Sequence, residues 1–90
     1  MIQQSEKFKQ AFEVHKKGNF EQAKDLYLEI LQEEKDNAEV WDLLGVLHYQ
    51  TRDYLEAEVC IKRAIELNPR LYYIENLARL YLDKGDFDES

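Results

Sequence analysis

Residues 38–71 read AEVWDLLGVLHYQTRDYLEAEVCIKRAIELNPRL. Apolar and small side chains recur three or four positions apart in this stretch, first from Trp41 to His48 and again from Tyr54 to Ile65. That spacing places each set on one face of an α-helix. The short polar segment between the two sets predicts a tight turn, so the stretch predicts two antiparallel amphipathic helices.

The same pattern recurs along the whole chain. Phe20 and Tyr54 are 34 residues apart, and Tyr54 and Phe87 are 33 apart. A helix–turn–helix unit of this length cannot bury its apolar face alone, so such units stack on one another. The five predicted helices cover residues 4–17, 20–34, 38–51, 54–67 and 71–84.

The turns and helix starts carry specific expectations. Gly18 can adopt a positive φ without a Cβ clash, whereas Arg52 adopts it at the next such turn at a cost on the order of 1 kcal/mol. Polar residues that follow the turns predict helix N-caps. The predicted caps are Asn19 with Gln22, Asn37, Asp53 with Glu56, and Asp86 with Glu89.

One set of small, aromatic and proline residues has characteristic separations: Trp41, Leu44, Gly45, Tyr54, Ala57, Ala64 and Pro69. This set resembles the tetratricopeptide repeat (TPR). The resemblance implies an all-α fold, a right-handed α-solenoid of antiparallel helix pairs, in a single TPR domain over residues 1–90. Its predicted divisions are a degenerate first repeat at 4–37, a second repeat at 38–70, and a half repeat or capping helix at 71–90.

The fifth helix begins a third repeat that is unfinished at residue 90. Its inner stripe is predicted to contain Leu77, Ala78 and Tyr81, and a turn at Gly85 is predicted to end it. Apolar surface that a sixth helix would cover should therefore stay exposed. That surface offers a route to self-association through the unfinished third repeat.

Composition narrows the classes of partner. Nineteen acidic residues against twelve basic ones give a formal net charge of −7. Such a surface repels a phosphate backbone, so we expect no nucleic-acid partner. No segment approaches the ~20 apolar residues that span a bilayer, so we expect no membrane insertion. The single Cys60 forms no internal disulfide, which favours a reducing, cytoplasmic location.

The sequence predicts no catalytic site. Ser5 and Ser90 are the only serines and lie at the ends of the chain, and no phosphate-binding or dinucleotide-binding motif is present. His15, His48 and Cys60 show no recognised metal-ligand spacing, and Cys60 has no basic neighbour to stabilise a thiolate. We therefore expect no metal, no cofactor and no enzyme activity.

The binding surface is predicted on the first helix of each repeat, because in TPR proteins these helices line a concave groove. The predicted groove residues are Phe8, Phe12 and His15, then Asp42, Val46, Tyr49 and Gln50, and finally Tyr72, Glu75 and Arg79. One alternative stays open for the first helix. Phe8, Ala11 and Phe12 also form a coherent core stripe, so both Phe residues are structural if that helix is rotated.

Aromatic and arginine side chains dominate interface energetics, so we expect a protein or peptide partner, either an amphipathic helix or an extended apolar peptide. The Lys, Asn and Arg with which some TPR domains hold chaperone carboxylates are missing. The matching positions carry Phe8, Phe12, Leu43, Tyr72 and Asn76. Two alternative functions are an N-terminal part of a larger multidomain protein, such as a transferase, and a self-assembling structural scaffold.

Overall fold

The computed structural model describes the backbone of residues 3–89 and the side chains of residues 6–83. Over residues 3–89 it contains five helices and no strand, so the all-α prediction is confirmed. Each predicted helix is present, with ends shifted by at most one residue except at the end of the fifth. The helices are α1 (Gln3–Lys16), α2 (Phe20–Glu33), α3 (Ala38–Gln50), α4 (Tyr54–Leu67) and α5 (Leu71–Glu89).

The helices form a stack in which each packs against its neighbours in sequence, and α3 also contacts α5. The main core lies where α1 and α2 meet α3, and Tyr27, Val40 and Leu44 are almost completely buried there. A second core joins α4 to α5 through Ile61 and Leu80. No helix in the described part of the chain is both long and apolar enough to cross a membrane.

The closest contact in the stack is between α3 and α4 at Gly45. A Cβ atom added to Gly45 would lie 2.5 Å from Ile61 Cγ1 and 3.2 Å from the carbonyl oxygen of Ala57. The first distance is at least 1 Å shorter than a carbon–carbon contact at optimal separation, about 3.5–4.0 Å. A glycine in a helix lowers the stability of that helix by ~1 kcal/mol relative to alanine. The close approach of the two helices requires this less stable residue at position 45.

Two turns end with a residue in the left-handed region, as the sequence predicts. Gly18 has a φ of 88° and Arg52 has a φ of 67°. In each turn this residue and the next one donate backbone N–H bonds of 2.8–3.1 Å to carbonyls in the last turn of the preceding helix. This is the Schellman arrangement, which requires a positive φ and satisfies carbonyls that a helix end leaves unpaired.

The N-cap predictions have mixed outcomes. The prediction for Asn37 is confirmed, because its side chain accepts a hydrogen bond of 3.2 Å from the Val40 N–H. The side-chain caps predicted at Asn19 and Asp53 are wrong, since neither side chain makes a cap hydrogen bond. Both residues complete a Schellman turn, and their ψ angles are 72° and 74°.

The end of α5 also differs from the prediction. The helix continues through the predicted turn at Gly85 to Glu89, so Asp86 does not begin a new helix. The side chains that would form the predicted cap at Asp86 and Glu89 lie outside the described ones. Continuing α5 adds one backbone hydrogen bond for each further residue.

The buried stripe of α5 is shifted from the predicted one. Tyr73 and Leu80 are buried, whereas Leu77 is half-buried and Ala78 and Tyr81 are exposed. Tyr81 is 42% exposed although its hydroxyl donates to Glu58 of α4. Ile74 and Leu82 are 45% and 73% exposed, so apolar surface remains exposed on α5 as predicted.

The strain at Arg52 can be measured with two variants. Arg52→Gly and Arg52→Ala both remove the same exposed charge, but only glycine removes the Cβ that opposes a positive φ. We expect the free energy of unfolding of Arg52→Gly to exceed that of Arg52→Ala by about 0.5–1 kcal/mol, after the larger chain entropy of unfolded glycine is included. Urea denaturation measures this difference, and equal midpoints for the two variants would contradict a strained turn.

Candidate functional site

Helices α1, α3 and α5 lie side by side, and a depression runs across them. It encloses about 350 Å³ and is formed by side chains of α1, α3 and α5 together with the turn after α1. Its lining consists of Phe12, His15, Lys16, Gly18, Phe20, Leu43, Val46, Gln50, Tyr72 and Asn76. Three helices therefore contribute to one surface.

A second depression of about 180 Å³ adjoins the first one toward the end of α5. Val46, Gln50 and Asn76 line both depressions, which makes them continuous. Tyr49, Ile61 and Arg79 complete the second. We refer to the two depressions together as the groove.

The structure brings seven of the ten predicted site residues together in the groove: Phe12, His15, Val46, Tyr49, Gln50, Tyr72 and Arg79. Phe8, Asp42 and Glu75 are not part of its lining. Asp42 is completely buried, so the prediction that its side chain faces the groove surface is wrong. Glu75 is exposed on α5, outside both depressions.

The two Phe residues of α1 have different environments. Phe8 is half-buried and packs against the main core, as the alternative of a rotated first helix predicts. Phe12 is 40% exposed and lines the groove. Their rings stack in parallel with centroids 6.3 Å apart, so Phe8 supports Phe12 from the core side. Phe8 therefore has the structural position of the alternative interpretation, and Phe12 has the predicted position in the groove.

Polar side chains under the groove connect α3 to α5. The amide nitrogen of Asn76 donates hydrogen bonds of 3.1 Å to both carboxylate oxygens of Asp42. A second link lies about two helical turns further along α3, where the Tyr49 hydroxyl donates to a carboxylate oxygen of Asp83. Both pairs are separated by 34 residues, which is the repeat period.

A third polar link connects α1 to α3. His15 is 8% exposed, and its Nδ1 lies 2.8 Å from the Tyr27 hydroxyl while its Nε2 lies 2.7 Å from Gln50 Oε1. A neutral imidazole with its proton on Nε2 satisfies every group: Nε2–H donates to Gln50 and Nδ1 accepts from Tyr27. This histidine is therefore a structural element of the groove wall.

Burial changes the electrostatics of the Asp42 carboxyl. Desolvation raises its pKa to about 6, and the negative charge of Glu39 acts in the same direction. The hydrogen bonds from Asn76 act in the opposite direction, because they stabilise the carboxylate. Among the described side chains, no fully buried side-chain nitrogen or oxygen lacks a hydrogen-bond partner. The polar side chains buried beneath the groove are thus hydrogen-bonded.

Several groove-lining residues were missing from the predicted set, among them Leu43 and Asn76. Leu43 is 7% exposed and forms part of the floor. Asn76 lies where the two depressions meet, and the sequence contains a signal for it. Because the repeat period is 34 residues, Asn76 occupies the position in α5 that Asp42 occupies in α3. An acid and an amide at equivalent positions of adjacent helices are complementary in hydrogen bonding.

The only cysteine does not have the properties of a nucleophile. Cys60 is 3% exposed, and burial raises the pKa of its thiol to about 12, with further contributions from the charges of Glu56 and Asp53. A reactive cysteine needs a lowered pKa and access to solvent. Its thiol is therefore neutral near pH 7 in the structure described.

Comparison with known proteins agrees with this architecture. Residues 38–71 match the family model of the tetratricopeptide repeat. The chain is also similar to Superkiller complex protein 3 of Homo sapiens, with 40% identity over 50 residues. The matched part covers 56% of this chain and 3% of the length of that relative.

The matched segment and the stack of helix pairs together support a tetratricopeptide repeat at residues 38–71. Repeats of this family generally mediate protein–protein interactions, and the repeat itself is a non-catalytic fold. The groove is therefore the candidate functional site, since it lies on the first helices of the repeats.

The raised pKa of Asp42 predicts a pH dependence of stability. The folded protein holds this proton up to about pH 6, whereas the unfolded chain releases it near pH 3.9. The resulting contribution to the free energy of unfolding is present below about pH 4 and is lost as the pH rises through about 6. Asp42→Asn cannot titrate and should lack it.

We therefore expect the free energy of unfolding of the parent, minus that of Asp42→Asn, to fall by on the order of 1–3 kcal/mol from about pH 4 to about pH 7. Urea denaturation at a series of pH values measures this difference, and taking the difference cancels the other carboxylates. A difference that is constant or rises with pH would show that the carboxyl is not destabilised by burial.

Proposed function

We propose that the groove binds a short segment of a partner protein, either an amphipathic helix or an extended apolar peptide. The observation that carries this proposal is the continuity of the groove across three repeats. Its two depressions enclose about 350 and 180 Å³ and share three lining residues. A continuous surface of this kind suits a chain segment better than an isolated small molecule.

The lining favours a ligand held mainly by apolar and aromatic contacts. Phe12 of α1 and Tyr72 of α5 are 40% and 54% exposed, and both line the first depression together with Val46 of α3. Large aromatic side chains bury much area at a low cost in conformational entropy. Lys16 places its Nζ 5.3 Å from the centre of the Phe12 ring, and Arg79 lines the second depression. The cations add specificity at the two ends.

The groove is also preorganised for binding. Links from His15 to Gln50 and from Asn76 to Asp42 hold its walls at fixed positions before any ligand arrives. A rigid site loses less conformational entropy on binding than a mobile one. The binding energy of the exposed aromatic side chains therefore remains available for affinity.

The test begins with peptides selected from a random library against the parent protein. We expect Tyr72→Ala and Arg79→Ala each to weaken the binding of a selected peptide by about fivefold or more, because each removes an exposed groove contact. Fluorescence anisotropy measures the affinities, and circular dichroism should show unchanged helix content.

Matched controls come from residues of the same type outside the groove. Tyr81 is an exposed tyrosine of α5 that donates to Glu58, and Arg63 is an exposed arginine of α4 that pairs with Glu66. Tyr81→Ala and Arg63→Ala should each leave the affinity within twofold. If these two variants lose binding while Tyr72→Ala and Arg79→Ala keep it, the groove is not the binding surface.

The two other interpretations of the sequence stay predictions. A place within a larger protein is supported by the comparison, in which the chain spans 3% of the length of the relative it matches. Self-assembly is supported by the apolar side of α5, where Ile74 is 45% exposed and Leu82 is 73% exposed. In both cases the groove would serve the same binding role.

A further inference from the structure

Three side chains with metal-binding atoms converge between α3 and α4, away from the groove lining. They are His48 of α3 and Glu56 and Cys60 of α4. One ring nitrogen, one carboxylate oxygen and one sulfur all lie within 4.8 Å of one another. Glu56 and Cys60 are one helical turn apart, so they project from the same side of α4.

We propose that His48, Glu56 and Cys60 form a binding site for a zinc ion. Imidazole nitrogen, thiolate sulfur and carboxylate oxygen are the three classes of ligand that zinc uses in proteins. The sulfur ligand disfavours magnesium and calcium, which prefer oxygen ligands. Three protein ligands leave the fourth tetrahedral position for a water molecule, which is the arrangement of an open zinc site.

The separation of the three atoms is close to what zinc requires. Ligand bonds of ~2.0–2.3 Å in a tetrahedron place the ligand atoms roughly 3.3–3.8 Å apart. The observed separation of up to 4.8 Å is larger by about 1 Å. Glu56 is exposed, so rotation of its side chain can bring its carboxylate closer to the other two ligands while both helices stay in place.

The surroundings of the three ligands suit a cation. Asp53 Oδ2 lies 3.8 Å from His48 Nδ1 and adds a second carboxylate. His48 and Asp53 also line a depression of about 140 Å³, through which an ion can enter from solvent. Lys24 and Glu21 line the same depression, and their opposite charges offset each other. The charge near the site is therefore negative.

Burial of the sulfur is compatible with this role. The thiol of Cys60 transfers its proton to solvent when its sulfur binds the ion, and the positive charge of zinc stabilises the buried thiolate. The ligand set has no recognised spacing in the sequence, because it combines residues of two helices. Its third member, Glu56, was predicted to complete a cap with Asp53, but Asp53 makes no side-chain cap in the structure.

The test uses cobalt(II), which occupies zinc sites and reports on their ligands by absorption. Titration of the untagged, reduced 90-residue protein should produce visible d–d bands and a near-ultraviolet thiolate-to-cobalt band, and zinc should abolish both. Since Cys60 is the only cysteine, the thiolate band identifies the site directly. Cys60→Ala should lose that band.

Two surface variants give a matched comparison on the same helix. Glu56→Gln removes a ligand and should weaken cobalt binding tenfold or more. Glu58→Gln removes the same charge from a neighbour that contacts Lys62 and Tyr81, and it should leave the affinity within twofold. If Cys60→Ala does not fold, this comparison still decides the question, because Glu56 is exposed.

Two results would overturn the proposal. The first is the absence of a thiolate band when the folded parent protein is titrated with excess cobalt. The second is equal cobalt affinity of Glu56→Gln and Glu58→Gln, which would mean that the acidic surface attracts the ion without the three proposed ligands.

Discussion

The close approach of α3 to α4 at Gly45 is the contact on which the rest of the structure depends. The missing side chain of Gly45 lets Ile61 pack directly against α3. Ile61 and Ala57 then form a core with Leu80, which places α5 against α4. The groove needs α5 beside α3, so its second depression depends on this contact, and Ile61 itself lines that depression. Packing of α4 against α3 and α5 thereby determines the shape of the groove.

Polar links at the repeat period then set the alignment of the first helices. Asp42 with Asn76 and Tyr49 with Asp83 each join positions 34 residues apart. Apolar packing alone is compatible with small sliding movements between helices, whereas a hydrogen-bonded pair has a defined geometry. The links also carry a cost, because burial raises the pKa of Asp42 to about 6. Burial of the Asp42 carboxyl thus lowers the stability of the domain, while its hydrogen bonds define the geometry of the groove.

Much of the fold followed from the sequence, because helical periodicity and the repeat spacing are both local signals. The left-handed turns at Gly18 and Arg52 and the cap at Asn37 were predictable for the same reason. Errors arose where the position of a side chain depends on its tertiary surroundings. Periodicity does not state which side of α5 lacks a neighbour, and it does not show that Asp42 lies beneath the groove. The cluster around Cys60 joins two helices and has no local signal.

The central claim is that a partner segment binds along α1, α3 and α5. Amide chemical shifts of the labelled protein, recorded with and without a peptide selected from a random library, test this most directly. The account predicts that the largest changes fall on groove residues such as Val46, Gln50 and Asn76. It predicts small changes at Leu28 and Val59, which are exposed on α2 and α4. Changes concentrated on α2 and α4, with the groove amides unmoved, would contradict it.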